Sequence, residues 1–130
     1  MVTSVARIHD VVVDCRHPAS LARFWAAVLD GYAVAPYDAA ELARLRALGI
    51  TSVEDDPTVL VEAGPGEPRL FFQLVPEAKV VKNRLHLDLR SDDAGRELDL
   101  ITGLGGRLLA THDDHHVLAD PEGNEFCLQR

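Results

Sequence analysis

Ile8-His-Asp-Val-Val-Val-Asp-Cys15, then Arg16-His17-Pro18, then Leu21-Ala-Arg-Phe-Trp-Ala-Ala-Val-Leu-Asp-Gly31: this opening decides the fold. The first run is rich in β-branched residues and stops at a turn, so it reads as a strand. Its faces differ: Val11, Val13 and Cys15 share one, and Asp10, Val12 and Asp14 the other. Pro18 suits a first helical turn. Leu21, Phe24, Trp25, Val28 and Leu29 then follow the spacing of an apolar helical stripe, and Gly31 stands where a left-handed terminator is expected.

The pattern recurs later. Arg84-Leu-His-Leu-Asp-Leu-Arg90 alternates polar and apolar residues, as a strand with one polar face does. A helix from Ser91-Asp92 follows, with Leu98 and Ile101, and with Ala94 and Leu104 beside them, as its stripe and Gly105-Gly106 as its end. Arg107–Ala110, His115–Ala119 and Glu125–Gln129 read as strands, joined by Asp113-Asp114 and Asp120-Pro-Glu-Gly-Asn124. In the first half, Tyr32–Pro36, Thr58–Ala63 and Arg69–Val75 are the matching strands. Gly64-Pro-Gly-Glu-Pro68 is a hairpin connection. A second helix over 38–48 has Asp38 as its N-cap and Leu42, Leu45 and Leu48 as its stripe.

The order strand, helix, three strands is thus written twice. Asp10 answers to His86 at a shift of 76, Gly31 to Gly105 at 74, and Gln73 to Cys127 at 54. The shift falls because only the first half carries the inserted helix. The expected fold is α+β: two βαβββ modules, about 5–76 and about 83–130 of one 130-residue domain, forming a cup-shaped curved sheet with helices on its outer face.

Composition bounds the function. Thirteen Lys and Arg against 21 Asp and Glu give a net charge of −8, which argues against nucleic acid and anionic membranes as partners. No apolar run approaches the ~20 residues of a membrane span. Arg7, His9 and Asp10 interrupt any signal-peptide core, and two cysteines 112 positions apart are no disulfide framework, so a cytoplasmic location is expected.

If a pseudo-twofold axis relates the modules, Asp10, His86, Gln73 and Cys127 converge on one cleft. Asp, His and Cys are competent ligands for zinc or a similar borderline ion, and Gln is a weak one. The alternatives are plain: a polar sheet face for His86, an ion pair for Asp10, a hydrogen-bonding wall for Gln73 and a small buried thiol for Cys127. Cys15 falls on the core side. His112, Asp113, Asp114, His115 and His116 fit a solvated hairpin turn, with one of His115 and His116 facing the cleft. Alternation also puts Asp14, Asp88, Arg90 and Glu125 on polar faces. Glu125 shares its face with Cys127 and is a candidate acid/base, or else an ion-pair partner of Arg84 or Arg90.

The strand 8–15, the helix 21–31, the strand 84–90 and the ending Asp120-Pro-Glu-Gly-Asn-Glu-Phe-Cys-Leu128 resemble the glyoxalase / bleomycin-resistance / extradiol-dioxygenase group, the vicinal oxygen chelate superfamily, and within it the small glyoxalase-like domain proteins. The resemblance covers essentially the whole chain. It implies a homodimer of cup-shaped modules acting on a small organic molecule. It implies one divalent ion (zinc, nickel, iron or manganese) supporting lyase or isomerase chemistry, or none, as in metal-free members that sequester a ligand. Asp10 matches the first-strand ligand position, His86 the second-module His, Cys127 the final-strand Glu and Gln73 the fourth position. Only His86 keeps the usual ligand identity, and losing the final Glu argues against glyoxalase I activity itself. In the metal-free reading Phe72 and Trp25 form apolar walls, with Gln73, Asp88 and His86 as polar groups. A dimerisation module without chemistry of its own is the third reading.

Overall fold

The computed structural model describes residues 7–130, so the first two residues of the module expected over 5–76 lie outside the described residues. Two four-stranded sheets and three α-helices make an α+β fold of two βαβββ modules, and the sheets are not closed onto one another. In the first module β1 (Asp10–Cys15), α1 (Pro18–Val28), β2 (Ala33–Val34), α2 (Ala39–Ala47), β3 (Thr58–Glu62) and β4 (Arg69–Leu74) follow in order, with a 3-10 turn at Val53–Asp55. Its sheet runs β1-β4-β3-β2, with β1 parallel to β4 and the other pairs antiparallel. In the second module β5 (Asp88–Leu89), α3 (Ala94–Gly103), β6 (Arg107–Thr111), β7 (His115–Ala119) and β8 (Glu125–Gln129) repeat the plan as β5-β8-β7-β6.

Alternation sorts the side chains. Val13, Cys15, Val59, Val61, Leu70 and Phe72 turn toward the helices and are buried. Leu118, Phe126 and Leu128 do the same in the second sheet, and both sets join one core. Phe24 and Trp25 of α1 meet Phe126 edge-to-face at ring-centroid distances of 6.4 and 4.9 Å. Such pairs add about 0.5–1.5 kcal/mol each beyond simple burial. Each sheet's other, more polar face is the one turned away from this shared core.

Several expectations need adjusting. The strand over 84–90 keeps only Asp88 and Leu89 in ladder pairing. It lies at a sheet edge, with a neighbour on one side alone. The last helix begins at Ala94, because the Asp93 side chain accepts from the Arg96 N–H and caps it there. On α2 only Leu45 is buried; Leu42 and Leu48 are exposed, since this helix lies on the first module with one narrow stripe. Gly106 is required sterically: a Cβ there would stand 2.5 Å from the Ile101 side chain.

The turn at 120–124 joins the modules. The buried Asp120 accepts from the backbone N–H groups of Glu122 and Asn124 and from the Asn124 side chain. Its Oδ2 also accepts from Trp25 Nε1. The Glu122 carboxylate takes the N–H groups of Arg16 and His17 at 2.8 and 2.9 Å. It thereby serves the start of α1, where His17 gives no side-chain cap.

Candidate functional site

On the open face of the second sheet, Asp88 stands directly opposite Cys127 in the parallel β5–β8 pair. His86 precedes Asp88 by two residues and shares its face. One ligand atom each of His86, Asp88 and Cys127 lies within 4.8 Å of the others. His86 Nε2 is 3.3 Å from Asp88 Oδ1. Burial first, and then the Asp88 carboxylate, push the Cys127 thiol above its ordinary pKa. The thiol is therefore a neutral hydrogen-bonding group at pH 7, not a free nucleophile.

This donor set suits a borderline divalent ion. Imidazole, carboxylate and thiolate all bind zinc at about 2.0–2.3 Å, which sets neighbouring donors roughly 3.5 Å apart. Closing the trio from 4.8 Å is within reach of side-chain rotation. His86 and Asp88 are the more exposed members and Cys127 is the buried anchor.

Asp10 is not part of this group. Both of its oxygens are taken by Arg69, at 2.7 Å from Nε and 3.2 Å from Nη2, with His9 Nδ1 at 3.0 Å. The hydrogen bond from Arg69 holds its carboxyl below the usual value. The expected convergence of Asp10 with His86 and Cys127 is thus not seen within one chain, because β1 and β8 lie in different sheets. Gln73 lies on the first sheet, opposite Asp14 and Thr58, on the same open face as Asp10.

Two expected wall residues are core instead. Phe72 is fully buried, since alternation along β4 turns it toward α1, and Phe71 takes the open face in its place. Trp25 is 3% exposed, packed on Phe126 and bonded to Asp120. Glu125 does share the open face with Cys127, two residues away. Its Oε2 is buried without a hydrogen bond, and its ion partner is Lys82 at 3.6 Å rather than Arg84 or Arg90. Asp88, expected among the polar groups of the substrate wall, lies within reach of His86 and Cys127, and the spacing His86-x-Asp88 on one strand face is the signal for that. His115 faces the open side and His116 the core, where Thr111 bonds it.

The first sheet holds a second feature. A cavity of about 480 Å³ lies between its open face and α2, lined by Phe71, Leu60, Thr58, Tyr37, Glu41 and Arg44 among others. Asp56 sits at its base, 2% exposed, accepting from Tyr37 Oη at 2.7 Å, Arg44 Nη2 and the Thr58 N–H.

The description "glyoxalase-like domain" fits residues 10–129. The chain belongs to that family. Solved structures agree on the fold across nearly its whole length. A glyoxalase/bleomycin resistance protein/dioxygenase family enzyme from Burkholderia phytofirmans is 14% identical, with a TM-score of 0.66 over 95% of this chain and 97% of that one. The fosfomycin resistance protein FosX from Mesorhizobium loti is 15% identical, with a TM-score of 0.62 over 99% and 92%. A bleomycin-binding protein solved with bleomycin is 15% identical, with a TM-score of 0.53 over 97% and 98%. No curated protein matches the sequence. Among the described residues no helix is long and apolar enough to cross a membrane.

Proposed function

We propose that this glyoxalase-like protein binds a small organic molecule against its open sheet faces and acts on it as a metal-dependent lyase or isomerase, with His86, Asp88 and Cys127 holding one divalent ion. The observation that carries this reading is the imidazole–carboxylate–thiol trio on a solvent-reached sheet face. When bound, such an ion supplies Lewis acidity toward a substrate oxygen. The chain's own residues do the rest. Cys127, anchored in β8, fixes one donor in place, while His86 and Asp88 adjust around it. Glu125 stands two residues along the same face, its Oε2 shielded from water and lacking a hydrogen bond. It is placed to accept a proton from a bound substrate and return it elsewhere, the exchange an isomerase requires. Gln73 and Asp10 lie on the other module's open face.

A cup needs both faces. Within one chain they belong to different sheets, each turned away from the shared core. Val12 is 54% exposed on the first of them, an apolar position that an opposing sheet would cover. A homodimer, the first sheet of one copy facing the second sheet of its partner, completes the cup. The cytoplasm, where free thiols persist, is the fitting location for two unpaired cysteines.

Metal analysis of the purified protein, before and after chelator and zinc reloading, tests the reading. One ion per chain, lost in His86→Ala and Cys127→Ala, is the expected result. No ion after reloading with zinc or nickel overturns it. Metal-free sequestration is the second reading. It is favoured by the closeness of His86 Nε2 to Asp88 Oδ1, 3.3 Å, and of Asp88 to the Cys127 thiol, which gives each member a polar neighbour without an ion.

A further inference from the structure

The inserted helix α2 breaks the internal repeat, and the largely apolar cavity lies beneath it. At about 480 Å³ the cavity is within the range that small organic ligands fill. Two aromatic rings line it, Phe71 from β4 and Tyr37 from the approach to α2. Burial and the Asp56 carboxylate push the Tyr37 phenol up, so it stays a neutral donor fixed on Asp56.

Charge then selects the ligand. Arg44 donates Nε to Glu41 and Nη2 to both oxygens of Asp56, so two carboxylates surround one guanidinium. The cavity lining is left with one net negative charge. Asp56 is saturated by Tyr37, Arg44 and the Thr58 N–H, whereas Glu41 uses only Oε2 for Arg44 and is nearly half exposed. Glu41 therefore offers a free carboxylate oxygen at the rim. Across the rest of this open face Asp10, Asp14 and Glu62 stand with Arg69, while Arg84 donates Nη1 to the Asp14 carbonyl. Arg69 lies over the Phe71 ring at 5.1 Å and is itself neutralised by Asp10. That contact shows the ring already carrying a cation on its face.

We infer that the cavity between α2 and the first sheet binds a flat aromatic ring bearing a positively charged nitrogen, the ring lying against Phe71 and Tyr37 and the cation meeting Glu41. An anionic ligand is disfavoured, because Glu41 and Asp56 already flank the only guanidinium in the cavity lining. The inference deepens the small-molecule reading by naming a ligand class; the trio of His86, Asp88 and Cys127 takes no part in it.

Three probes of one ring system test it: 2-naphthylmethylammonium, 2-naphthylmethanol and 2-naphthoate, titrated into the full chain by calorimetry. The ammonium compound should bind one per chain, about tenfold tighter than the alcohol. The naphthoate should be weakest. Glu41→Gln, an exposed change, should erase the advantage of the cation over the alcohol. Leu60→Trp, which fills the cavity floor, should abolish binding of both, with circular dichroism confirming the fold. Chelator treatment should leave the advantage of the cation over the alcohol unchanged, so a failed metal test and a failed probe test are told apart. Absence of saturable ammonium binding, a preference for naphthoate, or unchanged binding in Leu60→Trp or Glu41→Gln overturns the inference.

Discussion

Trp25 Nε1 donates to Asp120 Oδ2 at 3.1 Å, and both side chains are buried. One residue belongs to the helix of the first module and the other to the last turn of the second. Asp120 is also the acceptor that closes its own turn, through the N–H groups of Glu122 and Asn124 and the Asn124 amide. Asp120→Ala orphans several buried donors at once, each costing about 1–3 kcal/mol. Urea denaturation should show a loss of roughly 3 kcal/mol or more. Trp25→Phe keeps an aromatic ring but drops the donor, and should cost about 1–2 kcal/mol. Equal small losses in both variants would mean the bond is not what joins the modules.

Glu122 makes a second, separable prediction. Its carboxylate caps α1 from the other module, bonding the Arg16 and His17 N–H groups. Glu122→Ala should therefore behave as the loss of an N-cap, about 1 kcal/mol. Hydrogen exchange should quicken at the first turn of α1 more than in β7 and β8. Uniform quickening would assign Glu122 to its own turn alone.

These two residues also show what the sequence makes legible. Asp120-Pro-Glu-Gly-Asn124 reads correctly as a turn from composition, because Asp, Pro and Gly act locally. Its tie to Trp25 spans 95 positions and leaves no local trace. The repeat, the strand faces, the cap at Asp38 and the left-handed turn residue Gly31 are likewise local and legible. The site is only partly so. Alternation places His86, Asp88 and Cys127 on open faces, yet which strands share a sheet decides that Asp88, and not Asp10, completes the trio. Phe72 and Phe71 are adjacent, and a one-residue choice of face exchanges core for cavity.

Asp10 and Arg69 give a pH prediction. The bidentate bond holds the folded Asp10 carboxyl below its ordinary value of 3.8. The pair therefore contributes to stability above that pH, and the contribution is withdrawn as the pH falls through the lower folded value. Asp10→Asn should lower stability at pH 7 and flatten the decline as the pH falls below about 4. Parallel acid-unfolding curves for the two proteins would show that the pair contributes nothing.

The trio itself is best read through cobalt. A cobalt(II) ion held as proposed by His86, Asp88 and Cys127 would carry one thiolate, because a coordinating thiol loses its proton even where burial raises its pKa. A thiolate-to-cobalt charge-transfer band in the near ultraviolet is the expected signature, rising to one equivalent and quenched by zinc. Cys127→Ser should remove that band while leaving weak visible absorption from cobalt on nitrogen and oxygen. His86→Ala should weaken binding enough that no stoichiometric band forms, in step with the loss of the ion expected on metal analysis. Asp10→Asn should leave the band intact, since both Asp10 oxygens already serve Arg69. Loss of the band in Asp10→Asn would instead mean that Asp10 leaves Arg69 to join the ion, and in a homodimer it would do so from the facing copy. The same spectrum thus separates a three-residue site on one sheet from a four-residue site shared between two.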